Sequence, residues 1–134
     1  MGASVQVGQG IFSSSATDGI GYSTGAGAPP VIQPTDRTQP VTANGMSGMI
    51  TTSSASLAAE ASAVFTVNNS SVAIGDVVVL AQRSGKVALN TQVEVTAVAA
   101  GSFNITVINN NVAAGTAETG AIVINFVVIK AVSA

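Results

Sequence analysis

All four prolines of this chain, Pro29, Pro30, Pro34 and Pro40, lie within its first 40 residues, and the rest of its 134 residues contain none. Nine of the fourteen glycines also fall at or before Gly48. A stretch such as Gly25-Ala26-Gly27-Ala28-Pro29-Pro30-Val31-Ile32-Gln33-Pro34 cannot hold a helix, because proline lacks the amide donor and clashes with the preceding turn. It also makes a poor central strand. Residues 1–45 therefore read as an extended, partly polyproline-like N-terminal arm, and residues 46–134 as a β-domain. Such a composition also suits a disordered tail. As an arm, about 45 residues could reach roughly 150 Å, far enough to cross onto neighbouring molecules. Its apolar points, Val5, Val7, Ile11, Phe12, Val31 and Ile32, are too sparse for a core. They suit docking in a partner's grooves, so the arm is expected to contribute more to attachment than to folding.

From Met46 onward the pattern is of strands. Ala63, Phe65 and Val67 alternate with Val64 and Thr66; Val93, Val95 and Ala97 with Glu94 and Thr96; Phe103, Ile105 and Val107 with Asn104 and Thr106. Val77 to Leu80 is apolar on both faces, and Ala121 through Ile129 reads as the longest strand. These runs are rich in β-branched residues and separated by Asn, Ser and Gly clusters. Only Ser56 to Ala61 is rich enough in alanine for a helical turn or two. The expected fold is all-β, an antiparallel β-sandwich or jelly roll of six to seven strands.

One unit occurs twice, 40 residues apart. Phe65 to Gly75 aligns with Ile105 to Gly115, and the Thr, Val, Asn, Val, Ala and Gly positions are identical. It reads as one strand-turn unit used twice, in paired halves of a Greek-key arrangement.

Charge is scarce. Only 7% of the residues are charged, where a soluble domain has about a quarter. A compact monomer of this mass exposes roughly 6,400 Å², so each charge serves an area near that which one partner contributes to an ordinary interface. With 47% apolar residues and mean hydropathy +0.54, much of the surface is expected to be covered by other protein, own copies included. Four basic residues cannot neutralise a phosphate track, which argues against nucleic acid as a partner. The first six residues lack the basic and apolar regions of a signal peptide, and Gln6 stands where a myristoylation signal wants Ser or Thr. The Ala121–Ile129 run is too short for a membrane helix, and five aromatics cannot build the two girdles of a membrane barrel.

No catalytic kit is legible. The chain has no histidine and no cysteine, which removes the commonest general base, the thiolate nucleophile and the usual zinc ligands. The carboxylates Asp18, Asp36, Glu60, Asp76, Glu94 and Glu118 are scattered, and read as surface charges or turn residues. The Asn68-Asn69-Ser70-Ser71 and Asn109-Asn110-Asn111 runs offer amide oxygens but too few carboxylates for calcium. Turn formation is their expected role. No enzyme activity and no cofactor is expected. Gln82-Arg83-Ser84-Gly85-Lys86 reads as a hairpin loop; a Ser84–Lys86 dyad is formally possible there. Arg83 and Lys86 make it the most basic spot of the domain, a candidate contact for an acidic protein surface. In the last strand Ile122, Ile124, Phe126 and Val128 share one face, and Ala121, Val123, Val127 and Ile129 the other. Either another layer covers that second face, or it is a subunit interface. Ile11, Phe12, Pro29, Pro30, Val31, Ile32, Arg83, Lys86, Val123 and Val127 are the candidate interface residues.

The stretch from about Gly48 to the end carries a further signal in Ser62-Ala63-Val64-Phe65-Thr66-Val67-Asn68-Asn69, Asp76-Val77-Val78-Val79-Leu80, Ala99-Ala100-Gly101-Ser102-Phe103-Asn104-Ile105-Thr106-Val107 and Ile124-Asn125-Phe126-Val127-Val128-Ile129-Lys130. This wording resembles the small β-sandwich virion proteins of tailed bacteriophages, some of them head cement or decoration proteins, others the ends of head or tail fibres. The resemblance covers about two-thirds of the chain and has no catalytic motif. It implies a virion location on the outer surface of the phage head, with the major capsid protein as partner. The alternative it implies is a fibre domain for receptor or glycan binding, against which stand the single tyrosine, the absence of tryptophan and the lack of a shaft repeat.

Overall fold

The computed structural model describes residues 10–131; Val5 and Val7 lie outside them. Eight strands follow one another: β1 (Val31–Ile32), β2 (Val41–Thr42), β3 (Ser47–Thr51), β4 (Ser62–Asn68), β5 (Val77–Ser84), β6 (Thr91–Ala99), β7 (Ser102–Asn109) and β8 (Val123–Ile129). They form two four-stranded sheets, ordered β1-β3-β8-β5 and β2-β4-β7-β6. The all-β expectation holds. The sheets are mixed rather than purely antiparallel, because β1 pairs in parallel with β3 and β2 with β4. The cause is topological. From β1 to β6 successive strands alternate between the sheets, and within each sheet these alternate strands point the same way. β6 and β7, joined across Ala100-Gly101, form the one hairpin within a sheet, and Gly101 supplies the positive φ its turn needs.

The sheets pack face to face over one core. Phe65, Val67, Phe103, Ile105 and Val107 come from one sheet, Ile50, Ile124, Phe126 and Val128 from the other. The rings of Phe103 and Phe126 meet with centroids 5.5 Å apart. Gly48, the β3 partner of Phe126, leaves room for that ring, since a Cβ there would stand 2.6 Å from it.

Sheet pairing begins well before the composition break at residue 45. Gly27 bridges Ser47, and β1 and β2 occupy sheet edges, where proline-flanked chain is tolerated. Val41, Ala43, Gln33 and Arg37 are buried. The expectation that residues up to 45 contribute more to attachment than to folding is therefore corrected for the part from Gly27 onward, which belongs to the sheets and core. Two further expectations change. Ser56–Ala61 forms no helix, because the backbone of Leu57 pairs with Glu118. The Gln82–Lys86 stretch is no hairpin: β5 ends there and the chain passes to the other sheet. Gly85, at φ +91, lies so close to the Ala121 carbonyl that a Cβ would overlap it.

The duplicated unit does sit as a pair. β4 and β7 are neighbours, with Phe65 opposite its counterpart Ile105. Asn69 and Asn109, both fully buried, play one role twice. Each side-chain carbonyl accepts the amide two residues on, Ser71 or Asn111. Each Nδ2 donates to the backbone of another loop, Gly45 for Asn69 and Leu57 and Thr116 for Asn109. The turn role expected of these asparagines is what they perform. The likeness ends at the valines, for Val72 is buried and Val112 exposed.

Candidate functional site

The two outer faces of the sandwich differ in kind. On β4, β7 and β6 the outward residues are mostly polar: Ser62, Thr66, Asn104, Thr106, Gln92, Glu94 and Thr96, with Val64, Ala97 and Ile108 among them. They bond across strands, Thr66 to Asn104 at 3.0 Å and Thr96 to Thr106 at 2.9 Å.

The outer face of β1-β3-β8-β5 is mostly apolar. Pairing puts Val77 beside Ile129, Val79 beside Val127, Ala81 beside Asn125 beside Met49, and Ile32 beside Thr51 beside Val123. Val77 and Val79 are each 49% exposed and Ile129 50%. Its one charge is Arg83, which a register shift between Gln82 and Ser84 sets apart from the ladder. Its Nη1 lies 3.2 Å from Met49 Sδ, so the side chain lies along the face. Two depressions share Ser47 and Val127. One, of 440 Å³, is lined by Ala28, Pro30, Met49 and Arg83. The other, of 470 Å³, runs between Ile20 and Tyr22 on one side and Val127 and Ile129 on the other. Tyr22 is held there by its hydroxyl, which donates to the Val128 carbonyl.

The candidate interface residues separate accordingly. Pro30, Ile32, Arg83, Val123 and Val127 come together on or beside this face, and Pro29 is exposed next to it. Val31 turns inward against the core. Lys86 sits apart, in the loop after β5, with its Nζ 3.5 Å from the Thr91 carbonyl and no bond to Ser84. Ile11 and Phe12 lie off the face, in an exposed segment without strand pairing.

Arg37 and Glu118 are buried, and Glu118 is among the carboxylates expected at the surface or in turns. The Glu118 carboxylate accepts the amides of Val87 at 2.9 Å, Ala88 at 3.0 Å and Gly120 at 2.7 Å. Burial pushes its carboxyl up, but these donors and the nearby Thr91 hydroxyl outweigh burial and hold it below its ordinary value. That hydroxyl is near enough to favour the charge but misses hydrogen-bond geometry, and remains a buried group without a partner. Arg37 donates to Ala55 O at 2.6 Å, Thr52 Oγ1 at 3.1 Å, Glu118 O at 3.2 Å and Gly120 O at 2.9 Å. Burial draws its guanidinium below the ordinary value, against the pull of Glu118. Both are fully engaged in tying loops together and offer nothing to a substrate. Nothing in their neighbourhoods marks them: Arg37 is the only basic residue before Arg83, and Glu118 stands in an ordinary polar loop.

Asp36 and Asp76 do behave as turn residues. Asp36 accepts the Thr38 amide and hydroxyl. Asp76 accepts the Ala73 amide and pairs with Lys130 at 2.7 Å, which holds its carboxyl below the ordinary value. Among the described residues no three His, Cys, Asp or Glu side chains gather as metal ligands. The apolar sheet face gathers exposed apolar side chains across paired strands, whereas Ile74, Val87, Leu89 and Val112, also exposed, stand in loops. No family model, curated protein or solved structure matches the chain.

Proposed function

We propose that this chain is a structural virion protein, a cement or decoration protein that sits on the outside of a phage head and bridges neighbouring major capsid subunits. The observation that carries the reading is the asymmetry of the sandwich, one outer face mostly polar, the other apolar with a single charge. A protein built this way works by being covered. The wording of the strands resembles phage virion proteins, and the crossing of successive strands between sheets is read as a jelly-roll wrap with residues 10–26 as its arm. The Lys86 loop, with Val87 and Leu89 exposed beside it, suits contact with an acidic shell surface. Modest contacts repeated over a symmetric lattice sum to strong retention, and binding only the assembled shell stabilises it by mass action.

Purified protein should bind expanded empty heads at a regular, saturable stoichiometry and raise the temperature at which they open. Labelled copies found only on the tail or at a single vertex would replace this reading with that of a fibre domain.

A further inference from the structure

The described part of the arm carries apolar side chains that its own copy leaves in water. Ile11 is 59% exposed and Phe12 81%. The chain does not simply lay them on its own apolar face. Ser13 Oγ donates to the Asp18 carbonyl, and Ser15 Oγ accepts the amides of Thr17 and Asp18, so residues 13–18 curl on themselves. Ile20, Gly21 and Tyr22 line a depression on its own face together with Val127 and Ile129. One copy therefore holds both halves of a contact and does not close it.

We propose that residues 10–18 of one copy lie on the outer face of β1-β3-β8-β5 of a second copy, with Phe12 as the anchor, and that the second copy returns the same contact. Area favours exchange over direct pairing of two faces. Three strands about 4.8 Å apart and about seven residues long present roughly 350 Å², less than half of the roughly 800 Å² each partner gives to a standard interface. When each copy both gives a segment and receives one, the area per partner doubles to roughly 700 Å². Reach is sufficient once the 13–18 curl opens, since the ten residues from Phe12 to Gly21 then extend to about 33 Å against a face about 15 Å wide. Charge agrees in sign: Asp18 is the sole charge in residues 10–35, and Arg83 the sole charge on the face. The inference shares with the proposed function only the premise that this face is the working surface.

The chain has no cysteine, so single substitutions report contacts cleanly. Phe12→Cys and Val79→Cys proteins mixed under oxidation should form a mixed disulfide at least about tenfold faster than either forms its own dimer. Phe12→Asp should melt like the parent, because Phe12 is exposed, and should weaken self-association by about tenfold to a hundredfold. Three results overturn the proposal: a parent that stays monomeric at high concentration, a Phe12→Asp protein that associates as tightly as the parent, or an intrachain disulfide in a dilute Phe12→Cys/Val79→Cys double variant. No shell is present in these assays, so failure to bind phage heads is a separate result that bears only on the cement reading.

Discussion

Replacing Arg37 by alanine should destabilise the fold more than any exposed substitution. The guanidinium is buried and makes four hydrogen bonds, to Ala55, Thr52, Glu118 and Gly120. They tie the segment before β2 to the loops after β3 and before β8. Hydrogen bonds to a charged group contribute about 1.5–3 kcal/mol each, but four bonds share one side chain and its desolvation opposes them. Removing one member of a buried ionic arrangement costs about 3–5 kcal/mol. That range applies because three carbonyls lose a donor and Glu118 loses a countercharge. In a domain of this size it corresponds to a melting temperature lowered by about 10–20 °C. Calorimetry of Arg37→Ala beside Arg83→Ala checks it, the exposed control shifting stability by no more than about 0.5 kcal/mol. Deleting residues 1–19 should be nearly neutral, and deleting 1–40 at least as damaging as Arg37→Ala. An Arg37→Ala protein within about 1 kcal/mol of the parent would refute the view that the proline-bearing segment is part of the fold.

Gly48→Ala should destabilise by about 1–3 kcal/mol in urea unfolding, because the new methyl overlaps the Phe126 ring. Asn69→Ala and Asn109→Ala should each lose about 1–3 kcal/mol by orphaning buried loop groups; equilibrium unfolding measures both. Acid should weaken the protein. The Asp76 and Glu118 carboxyls are held below their ordinary values of 3.8 and 4.5, so their stabilisation is present above those values and lost as pH falls through and below them. Melting temperature should hold near neutrality and drop below about pH 4.5, and a rise on acidification would contradict the assignment.

What could be read in the sequence follows from the kind of signal each element carries. Alternation along 62–68, 102–109 and 123–129 makes strands visible, because a side chain every second residue must choose between core and outside. It also singles out the second face of β8, whose Val127 and Ile129 stay uncovered. The duplicated asparagine is legible as a turn because its chemistry is local. Strands of two residues, β1 and β2, have no period to read, so Val31 and Val41 pass for arm. The burial of Arg37 and Glu118 is not legible because their partners, nearly all backbone groups, come from three segments, 52–55, 87–88 and 118–120, and no local pattern encodes that meeting. The Ser84-Gly85-Lys86 stretch looks like a hairpin because a positive-φ glycine serves a sheet crossing as well as a tight turn. Whether β8 is covered by a layer or by a partner depends on molecules outside the chain.

If the proposed function holds, the outer face of β1-β3-β8-β5 is the surface through which this protein works. Hydroxyl-radical footprinting tests it most directly, by comparing dilute protein with the protein at concentrations where it associates, or on the particle. Met49, Val77, Val79, Val127 and Ile129 should lose reactivity together on assembly, while Val64 and the polar β4-β7-β6 face keep theirs. Protection of the polar face with Val127 and Ile129 unchanged would contradict the claim.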